Sequence, residues 1–588
     1  MSMLKVAGRI VPLVIKTMPF TFLIFWVIVV LHGITWGLIA PVSQVLYDAL
    51  ADLAMGQGYL REVYIAAAMI TAVMLFQQIV NALHNLLDTD IMHPKASGRL
   101  AMVIHDKVKK LPAEVFENKD RLDDIEKANV GKDGAFWMYM TIHDGIFFYG
   151  AYFVVMGSFL WSMQPILLLA FAFVFIPSLL AQVVETKIQV KLEALSAPIR
   201  RQNAHYEDCL IGLKNKKETR LFGAYFFFKS LYMDSLALLA RKEWDVQKRI
   251  QAMYLGVNFL KASAWIGVMA LMFRSLSQGH ITVGAFAAVF TSVGIMFSLM
   301  DELLWRVKAT FAEDLAKVYN FLSLLDIPTP EKDNAELDFE KGIIAKDVEF
   351  AYPKAEKNAV NGVTISIKPG ETLALVGENG SGKTTLVKLL CGLYKPSKGQ
   401  IIIGGRDVAE TADTALFAKS SSVFQNYGCY IFSLEENVQI SSPNSTHDTI
   451  PAMLDADVDY KDEKTFPKGL KTILSREYEG VDLSGGQWQR IASARGLYRN
   501  HDFIVLDEPT AAIDPIEETR IYNRFAELTS DKMAILVTHR LGSARIADRI
   551  AVMDGGKIVE IGTHESLLEI NGKYAEMWAV QAESYSLI

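Results

Sequence analysis

The chain of 588 residues is long enough for roughly two to four domains. Because 51% of its residues are hydrophobic and 21% are charged, it is too apolar for an ordinary soluble enzyme and too charged to lie wholly in a membrane. The formal net charge of −7 is small for this length and indicates no basic surface, so we expect no nucleic-acid partner.

The first predicted element is an apolar stretch from Thr17 to Tyr47 that contains no Asp, Glu, Lys or Arg. A helix needs ~20 apolar residues to cross ~30 Å of hydrocarbon, so this stretch can span a membrane. A signal peptide is the alternative, but the apolar run is too long and no small-residue cleavage site precedes a soluble start. Similar stretches follow, and the six predicted spans lie at about 18–45, 62–87, 134–161, 163–185, 252–277 and 281–304.

The connections between these spans differ in their Lys and Arg content, which is what sets orientation in a membrane. On one side, Arg61 is the only Lys or Arg of the first loop, and the stretches "SMQP" and "SLSQGHITV" contain none. The other side carries Lys5, Arg9 and Lys16, followed by five more basic residues between 95 and 110. The pattern predicts a multi-pass protein of the lipid bilayer with both termini in the cytoplasm.

The cytoplasmic connections are long and have a helical pattern. From about residue 62 to Pro112 some fifty residues make a helix of roughly 75 Å, more than twice the hydrocarbon thickness. The same holds from Pro165 to about residue 213. Surface helices in solvent are one interpretation. We favour levers that end at "PAEVFENKD" and "LIGLKNKKETRLFG" and dock on a soluble domain, with Phe116 as a docking side chain.

A polar linker, predicted at 311–342, separates this helical domain (1–310) from a domain of different pattern (343–588). In the second domain, short Val/Ile-rich strands such as "TLALVG", "FIVLDE" and "AILVTH" alternate with helices. That alternation is typical of an α/β domain with a largely parallel sheet. The fold class is therefore multidomain: an all-α transmembrane domain of six helices, followed by an α/β domain.

The motif "GENGSGKT" follows the strand "TLALV" and opens a helix, which is the context of a P-loop ATPase. Backbone N–H groups of such a loop enclose phosphates, and the helix N-terminus favours their charge. We expect Lys383 to reach the β- and γ-phosphates and Thr384 to bind Mg²⁺. The nucleotide-binding residues predicted here are Gly377, Glu378, Asn379, Gly380, Ser381, Gly382, Lys383, Thr384 and Thr385.

Two adjacent carboxylates follow the strand "FIVL". In P-loop enzymes the aspartate at a strand end, here Asp507, holds Mg²⁺. A second carboxylate beside it, here Glu508, can polarise the attacking water as a general base. A solvated strand end is the weaker interpretation of Glu508, because strands of such sheets deliver ligands at their carboxyl ends.

Three further residues fit the same site. Gln425, in "SSVFQNYG", can contact Mg²⁺ or the attacking water, and His539, at the end of "AILVTH", can hold the γ-phosphate. Tyr352, in "FAYPK", offers a ring to stack on adenine. Taken singly, each is more often structural, and a tyrosine before proline usually serves in packing.

The order and approximate spacing of "GENGSGKTT", Gln425, "LSGGQ", "FIVLDE", "AAID" and His539 resemble those of ATP-binding cassette (ABC) transporters. The six spans and long cytoplasmic helices resemble the exporter type, in which membrane domain and cassette are fused, so the resemblance covers the whole chain. It implies an ATP hydrolase coupled to transmembrane transport, with ATP and Mg²⁺ as cofactors. The implied catalytic residues are Glu508, His539, Gln425 and Lys383, and the implied Mg²⁺ ligands are Thr384, Gln425 and Asp507.

The stretch "VDLSGGQWQR" has the hydroxyl and glycines of an anion site at a helix start, but no lysine. The resemblance implies that this signature faces the γ-phosphate held by the P-loop of a second copy, so that a homodimer has two composite sites. It places Asp514 at the cassette–cassette contact. A catalytically inert subunit of a heterodimer is the alternative, against which the intact Glu508 and His539 argue. The signature residues are Ser484, Gly485, Gly486 and Gln487.

Two departures from the general pattern narrow the expected cargo. Trp488 replaces the basic residue usual after "LSGGQ", and "FQNYGCYIF" lacks the proline common after the glutamine in multidrug and lipid exporters. Both features resemble the bacterial branch that exports peptides, including lantibiotics. We therefore expect ATP-driven export of an amphipathic substrate, with a peptide favoured, out across the bacterial cytoplasmic membrane by alternating access.

Two alternatives to a peptide exporter remain, and other classes of protein are disfavoured. The alternatives are a multidrug or lipid exporter and one subunit of a heterodimeric exporter. An importer is disfavoured by the long cytoplasmic helices, and a soluble cassette ATPase of DNA repair or translation by the six spans. No cysteine-peptidase domain precedes the first span, so we expect no trimming of leader peptides.

Polar residues within the spans are candidates for contact with cargo. Ordinary helix packing is the more frequent role of such residues, so no substrate-binding residue is assigned. The candidates are His32, Asn81, His84, His143 and Asp144, with Met296, Met300 and Trp305 on or beside the last span.

Overall fold

The structure is a computed structural model that describes residues 3–212, 215–329, 333–353, 355–508 and 515–586. Contacts divide the chain into two units. The first comprises Met1–Lys109 and Asp123–Ile327, and the second comprises Lys110–Leu122 and Pro328–Ile588.

The regular secondary structure in the described residues of the first unit is entirely helical. Its helices are α1 (Met3–Thr17), α2 (Pro19–Ala54), α3 (Leu60–Asn85), α4 (His93–Val108), α5 (Lys119–Asp144), α6 (Gly150–Met163), α7 (Pro165–Ile211), α8 (Lys216–Leu221), α9 (Tyr225–Ser277), α10 (Val283–Lys308) and α11 (Leu315–Leu325). Wider π-helical turns at Leu86–Met92, Gly145–Tyr149 and Ala309–Asp314 join α3 to α4, α5 to α6 and α10 to α11. The joined helices therefore run on without a loop.

Six helices of the described chain are long and apolar enough to cross a membrane: Pro19–Ala54, Leu60–Val108, Arg121–Met163, Pro165–Glu193, Tyr225–Ser277 and Val283–Lys308. The prediction of six spans is confirmed, and the chain is a multi-pass membrane protein. The helices Leu60–Val108 and Tyr225–Ser277 have 49 and 53 residues. At 1.5 Å per residue they measure about 75 and 80 Å, which exceeds the hydrocarbon thickness more than twofold.

The helical unit extends beyond residue 310, where the sequence places the start of a linker. Helix α11 is amphipathic, and its apolar side chains at helical spacing, Val318, Phe321 and Leu322, are buried. Because this face packs within the first unit, the segment is a helix rather than a linker, and the division between the units falls after Ile327.

The second unit is an α/β domain, the cassette. Its strands are β1 (Ile343–Phe350), β2 (Val360–Ile367), β3 (Thr372–Gly377), β4 (Lys398–Ile403), β5 (Arg406–Asp407), β6 (Ser420–Val423), β7 (Phe503–Asp507), β8 (Met533–Val537), β9 (Arg549–Asp554) and β10 (Lys557–Gly562). Its helices are α12 (Lys383–Leu390), α13 (Asp413–Leu416), α14 (Leu434–Gln439), α15 (Ile450–Asp455), α16 (Gly485–Tyr498), α17 (Pro515–Leu528), α18 (Leu541–Ala544), α19 (His564–Ile570) and α20 (Lys573–Ser586). The predicted fold class is confirmed.

The strand order of the cassette positions the site. One sheet has the order β10-β9-β3-β8-β7-β6, with β9, β3, β8, β7 and β6 parallel, and the other has the antiparallel order β2-β1-β4-β5. Every residue of β3, β7 and β8 is buried, as expected for parallel strands covered on both faces. Since these three strands are neighbours, their carboxyl ends lie at one edge, where Asp507 is in register with Val537.

Candidate nucleotide-binding site

The P-loop leads from β3 into α12. Gly380 and Gly382 have φ angles of 82° and 102°, in the left-handed region that side chains with a Cβ adopt only under strain. At Gly382 a Cβ would also meet the carbonyl oxygen of Ala359. The glycines therefore let the loop turn tightly and start α12 at Lys383, so that the unpaired N–H groups of the helix start face the loop.

The polar groups of this loop suit a phosphate. Lys383 is 6% exposed, and its ammonium donates hydrogen bonds of 2.9 Å to the carbonyls of Gly377 and Glu378. Burial lowers the pKa of Lys383, while the nearby carboxylates of the site oppose that shift. The hydroxyl of Ser381 is buried without a hydrogen-bond partner in the described part of the chain. The loop thus presents donors that phosphate oxygens can accept from.

The end of β7 carries a buried carboxylate. Asp507 is 1% exposed, and its Oδ1 accepts a hydrogen bond of 3.2 Å from the Thr384 hydroxyl. Its Oδ2 has no hydrogen-bond partner among the described residues. Burial raises the pKa of Asp507, and the charge of Glu508 adds to this effect. A buried carboxylate oxygen left without a donor, next to a hydroxyl, is a ligand set that fits Mg²⁺.

Glu508 contacts the end of β8 and the residues that follow β6 and β8. Its φ of 50° places a non-glycine residue in the left-handed region, at a cost on the order of 1 kcal/mol. Its backbone N–H donates to the carbonyl of Val537 at 3.0 Å. On its side chain, Oε2 accepts from the Gln425 amide at 3.1 Å, and Oε1 lies 3.4 Å from Nδ1 of His539. The structure therefore brings these three predicted residues together.

One cavity of about 480 Å³ joins the loop to these residues. It is lined by Tyr352, Ala359, Asn379, Gly380, Gly382, Lys383, Thr384, Thr385, Gln425, Glu508 and His539. The Tyr352 hydroxyl is 3.0 Å from that of Thr385, and its ring packs edge-on against Phe350 and Tyr394. Tyr352 thus both packs on the core and forms part of the cavity wall.

The signature residues do not line this cavity. Ser484 caps α16: its hydroxyl accepts from the N–H of Gln487 at 3.3 Å, and the Gln487 side chain accepts from the N–H of Ser484 at 2.8 Å. This is a capping box. Ser484 and Gly485 are exposed and Gly486 is half-buried. The predicted signature therefore lies apart from the P-loop of its own chain.

Gln489 is a site residue that the sequence predictions missed. Its side chain is buried, and its amide donates to the carbonyl of Glu508 at 3.2 Å. Gln489 lies on α16, two residues after the end of the signature. Its position beside that motif was the only feature of the sequence that could have indicated its role. Asp514 lies outside the described residues.

The segment Lys110–Leu122, which follows α4 and includes the first turn of α5, belongs to the cassette unit. The Tyr394 hydroxyl donates to the Glu117 carboxylate, and Lys388 lies 3.3 Å from the same carboxylate. The Tyr394 hydrogen bond, aided by Lys388, lowers the pKa of Glu117. The N–H of Lys395 donates to Glu114. The predicted docking side chain, Phe116, is 41% exposed, and the segment contacts the cassette through Ala113, which packs against its buried core, and through Glu114 and Glu117.

Four of the five polar candidates in the membrane helices line a second cavity, of about 160 Å³, within the first unit. They are His32, Asn81, His84 and Asp144, which lie there with Trp36, Asn85, Phe148, Tyr149, Leu299, Glu302 and Arg306. The Nδ1 atoms of His32 and His84 are 2.8 Å apart, and Arg306 lies 3.3 Å from Asp144. His143 instead stacks on Phe25, Met296 is buried and Trp305 is exposed.

Comparison with known proteins agrees with this geometry. Residues 360–511 match the model of the ABC transporter family. The chain is 31% identical over 375 residues to the subtilin transport ATP-binding protein SpaT of Bacillus subtilis, which covers 60% of each protein. It is 34% identical over 338 residues to an ATP-dependent lipid A-core flippase of Photobacterium profundum, covering 55% of this chain and 56% of that one.

The match to these curated relatives thus spans about 60% of their length. A solved structure of a bacterial Atm1-family ABC exporter with ATP bound resembles the chain over nearly its full length. The TM-score is 0.72 at 22% identity, and the match covers 95% of this chain and 98% of that one. Residues 360–511 therefore match the cassette of ABC transporters, and the chain shares the fold of that exporter over nearly its full length.

Proposed function

We propose that this chain is an ATP-driven exporter that moves an amphipathic substrate out across the bacterial cytoplasmic membrane by alternating access. The observation that carries the proposal is the placement of Glu508, with one carboxylate oxygen on Gln425 and the other near His539, at a cavity whose opposite wall is the P-loop. A carboxylate held in this way, beside a phosphate-binding loop, can act as a general base toward water.

Each residue of the site has a distinct proposed task. Lys383 and the loop N–H groups bind the β- and γ-phosphates, and Tyr352 stacks on adenine. Glu508 takes a proton from the attacking water at a carboxylate oxygen, while Gln425 and His539 fix that carboxylate in position. Mg²⁺, when bound by Thr384, Asp507 and Gln425, would neutralise phosphate charge. Since Glu508 is already oriented, little reorganisation precedes the reaction.

The proposed active assembly is a homodimer. The hydroxyl of Ser484 and the start of α16 are exposed and lie outside the cavity of their own chain, as expected of a half-site completed across an interface. The P-loop lysine, the Asp507–Glu508 pair, His539 and the signature are all intact. A chain with both halves of the site can form two equivalent composite sites with a second copy of itself.

The proposed coupling runs through the segment Lys110–Leu122. This segment connects the membrane helices Leu60–Val108 and Arg121–Met163 and is bound to the cassette through Glu114 and Glu117. Movement of the cassette on ATP hydrolysis would therefore pull on two membrane helices at once. With both termini in the cytoplasm, that movement alternates access to the substrate between the two sides.

Peptide is the proposed cargo class, and lipid or drug cargo is the alternative. Trp488 and the missing proline after Gln425 favour the peptide branch, and one relative is named as a subtilin transport protein. Other relatives are named as a lipid A-core flippase and as a putative multidrug export protein of Bacillus subtilis. The polar cavity around His32 and Asp144 offers contacts for a polar group of any of these cargoes.

The test is the hydrolysis rate of Glu508→Gln in lipid nanodiscs. We expect ATP binding to persist and turnover to fall at least about a hundredfold, because the general base is lost. The matched control is Glu410→Gln, an exposed glutamate of the cassette, which should hydrolyse ATP like the wild type. Retention of more than half the wild-type turnover by Glu508→Gln would remove Glu508 from this role.

Cargo is tested in inside-out proteoliposomes. ATP-dependent accumulation is compared for an amphipathic peptide, a headgroup-labelled lipid and a hydrophobic dye. Accumulation of the peptide alone, lost in Glu508→Gln, supports the peptide proposal. Movement of the lipid or the dye without the peptide establishes the alternative.

A further inference from the structure

We propose that α20, the last helix of the cassette, positions the turn that carries His539, and that Gln581 is the residue through which it acts. The inference rests on the proposed function, because the placement of His539 matters for rate only if this site hydrolyses ATP. Gln581 is a positioning residue in this proposal, since it contacts the backbone of the turn rather than the reacting groups.

The side chain of Gln581 uses both ends of its amide on this turn. Its Nε2 donates to the carbonyl of His539 at 2.5 Å, and its Oε1 accepts from the N–H of Leu541 at 2.9 Å. The two backbone groups lie on either side of Arg540, between the end of β8 and the start of α18. One amide thus closes a ring across the turn and satisfies one of the unpaired N–H groups at the start of α18.

Helix α20 is itself firmly anchored, so it can serve as a reference for the turn. Tyr574 is fully buried, its N–H donates to Glu560 on β10 at 3.0 Å, and its hydroxyl lies 2.8 Å from Nδ1 of His564. It belongs to the same buried cluster as Leu541 and Ala544 of α18. The turn is therefore connected to the sheet at one end, through β8, and hydrogen-bonded to the packed helix α20 at the other.

The first residue of α20 also reaches the P-loop. Lys573 lies 3.4 Å from the carboxylate of Glu378 and 3.0 Å from that of Asp554. The Glu378 side chain is 68% exposed, so this ion pair is weak in water. One helix thus contacts both the loop proposed to bind phosphate and the turn that carries His539, and the Gln581 contact is the stronger of the two.

Loss of the Gln581 amide should let the backbone of His539 shift. The imidazole lies 3.4 Å from Glu508, and a displacement of about 1 Å at a catalytic group can cost up to about a hundredfold in rate. Among the described residues, the side-chain hydrogen bonds of Gln581 go to the backbone of His539 and Leu541, and not to Tyr352 or the P-loop. The effect should therefore fall on kcat rather than on the KM for ATP.

The test compares kcat and KM for ATP of full-length Gln581→Ala, Gln581→Glu and Glu576→Ala in nanodiscs. Gln581→Ala should lower kcat about tenfold and change KM less than about twofold. Gln581→Glu should be intermediate, since a carboxylate can accept from Leu541 but cannot donate to the His539 carbonyl. Glu576→Ala, an exposed truncation on the same helix, should match the wild type.

A double mutant separates positioning from general stability. If Gln581 acts through His539, adding Gln581→Ala to His539→Ala should lower kcat no further. An additive loss, or wild-type kcat in Gln581→Ala, overturns the inference. If Gln581→Ala does not fold, a Gln581→Glu protein with wild-type kcat overturns it as well. The Glu508→Gln variant is measured in parallel. Each of these results for Gln581 leaves the proposed function intact, whereas wild-type turnover in Glu508→Gln overturns the proposed role of the site itself.

Discussion

The side-chain amide of Gln425 donates a hydrogen bond to Oε2 of Glu508 across 3.1 Å. The other carboxylate oxygen lies 3.4 Å from His539, so both oxygens of Glu508 have a neighbour that limits rotation of the side chain. The backbone of Glu508 is fixed as well, through Val537 and Gln489. A strained residue held at this many points is a preorganised group, whose geometry depends on the residues around it.

Tyr352→Ala should raise the KM for ATP several-fold with a smaller change in kcat, because stacking is largely uniform binding. Tyr352→Phe keeps the ring and removes only the contact of 3.0 Å with the Thr385 hydroxyl, so its effect on the KM for ATP should be small. The KM for ATP and kcat of both variants are measured by steady-state ATPase kinetics. A large loss of kcat at unchanged KM in Tyr352→Ala would show that packing against Phe350 and Tyr394 is its main role.

Thr384→Ala should raise the Mg²⁺ concentration needed for half-maximal hydrolysis, because the hydroxyl beside Asp507 is a proposed ligand. Titration of Mg²⁺ at fixed ATP measures the shift, and EDTA should abolish hydrolysis of the wild type. Thr414→Ala, on an exposed hydroxyl of the cassette, is the control. An unchanged Mg²⁺ requirement in Thr384→Ala would contradict the proposed ligand set.

Glu117→Ala should uncouple ATP hydrolysis from transport, because it removes the acceptor of the Tyr394 and Lys388 contacts. ATPase activity should persist while substrate moved per ATP falls at least about fivefold. Phe116→Ala is the matched control from the same segment and should have the smaller effect, because that ring is 41% exposed. The measurement is the ratio of substrate transported to ATP hydrolysed in proteoliposomes. A larger loss of coupling in Phe116→Ala than in Glu117→Ala would show that Phe116, and not Glu117, is the coupling residue.

Ser484→Arg should disable both sites of the proposed homodimer, because in the proposed composite site it would set bulk and charge against the γ-phosphate held by the partner. Mixing Ser484→Arg chains with Lys383→Ala chains should restore one composite site per mixed dimer, where an intact signature meets an intact P-loop. ATPase activity of each variant and of the mixture is the measurement. A wild-type chain that is inactive until a different subunit is added would disprove the homodimer.

The amino-acid sequence by itself was sufficient for features that depend on near neighbours. Apolar runs of ~20 residues have to be helical in hydrocarbon, because only a helix pairs the backbone N–H and C=O groups within the segment. The six spans follow from that rule. The P-loop is equally local, since glycines at Gly380 and Gly382 are required by the turn itself. The α/β fold followed from alternating strands and helices.

Only the tertiary structure decided which distant residues meet. Gln425 and Glu508 are 83 residues apart, and their contact depends on β6, β7 and β8 being neighbours in the sheet. Glu117 and Tyr394 are 277 residues apart, and the Gln581 contact with His539 depends on the packing of α20. Hydrophobic spacing predicts which face of an element is buried, but the element it packs against is chosen by the free energy of the whole fold. The contacts of Glu117 with Tyr394 and Lys388 were therefore beyond the reach of sequence pattern.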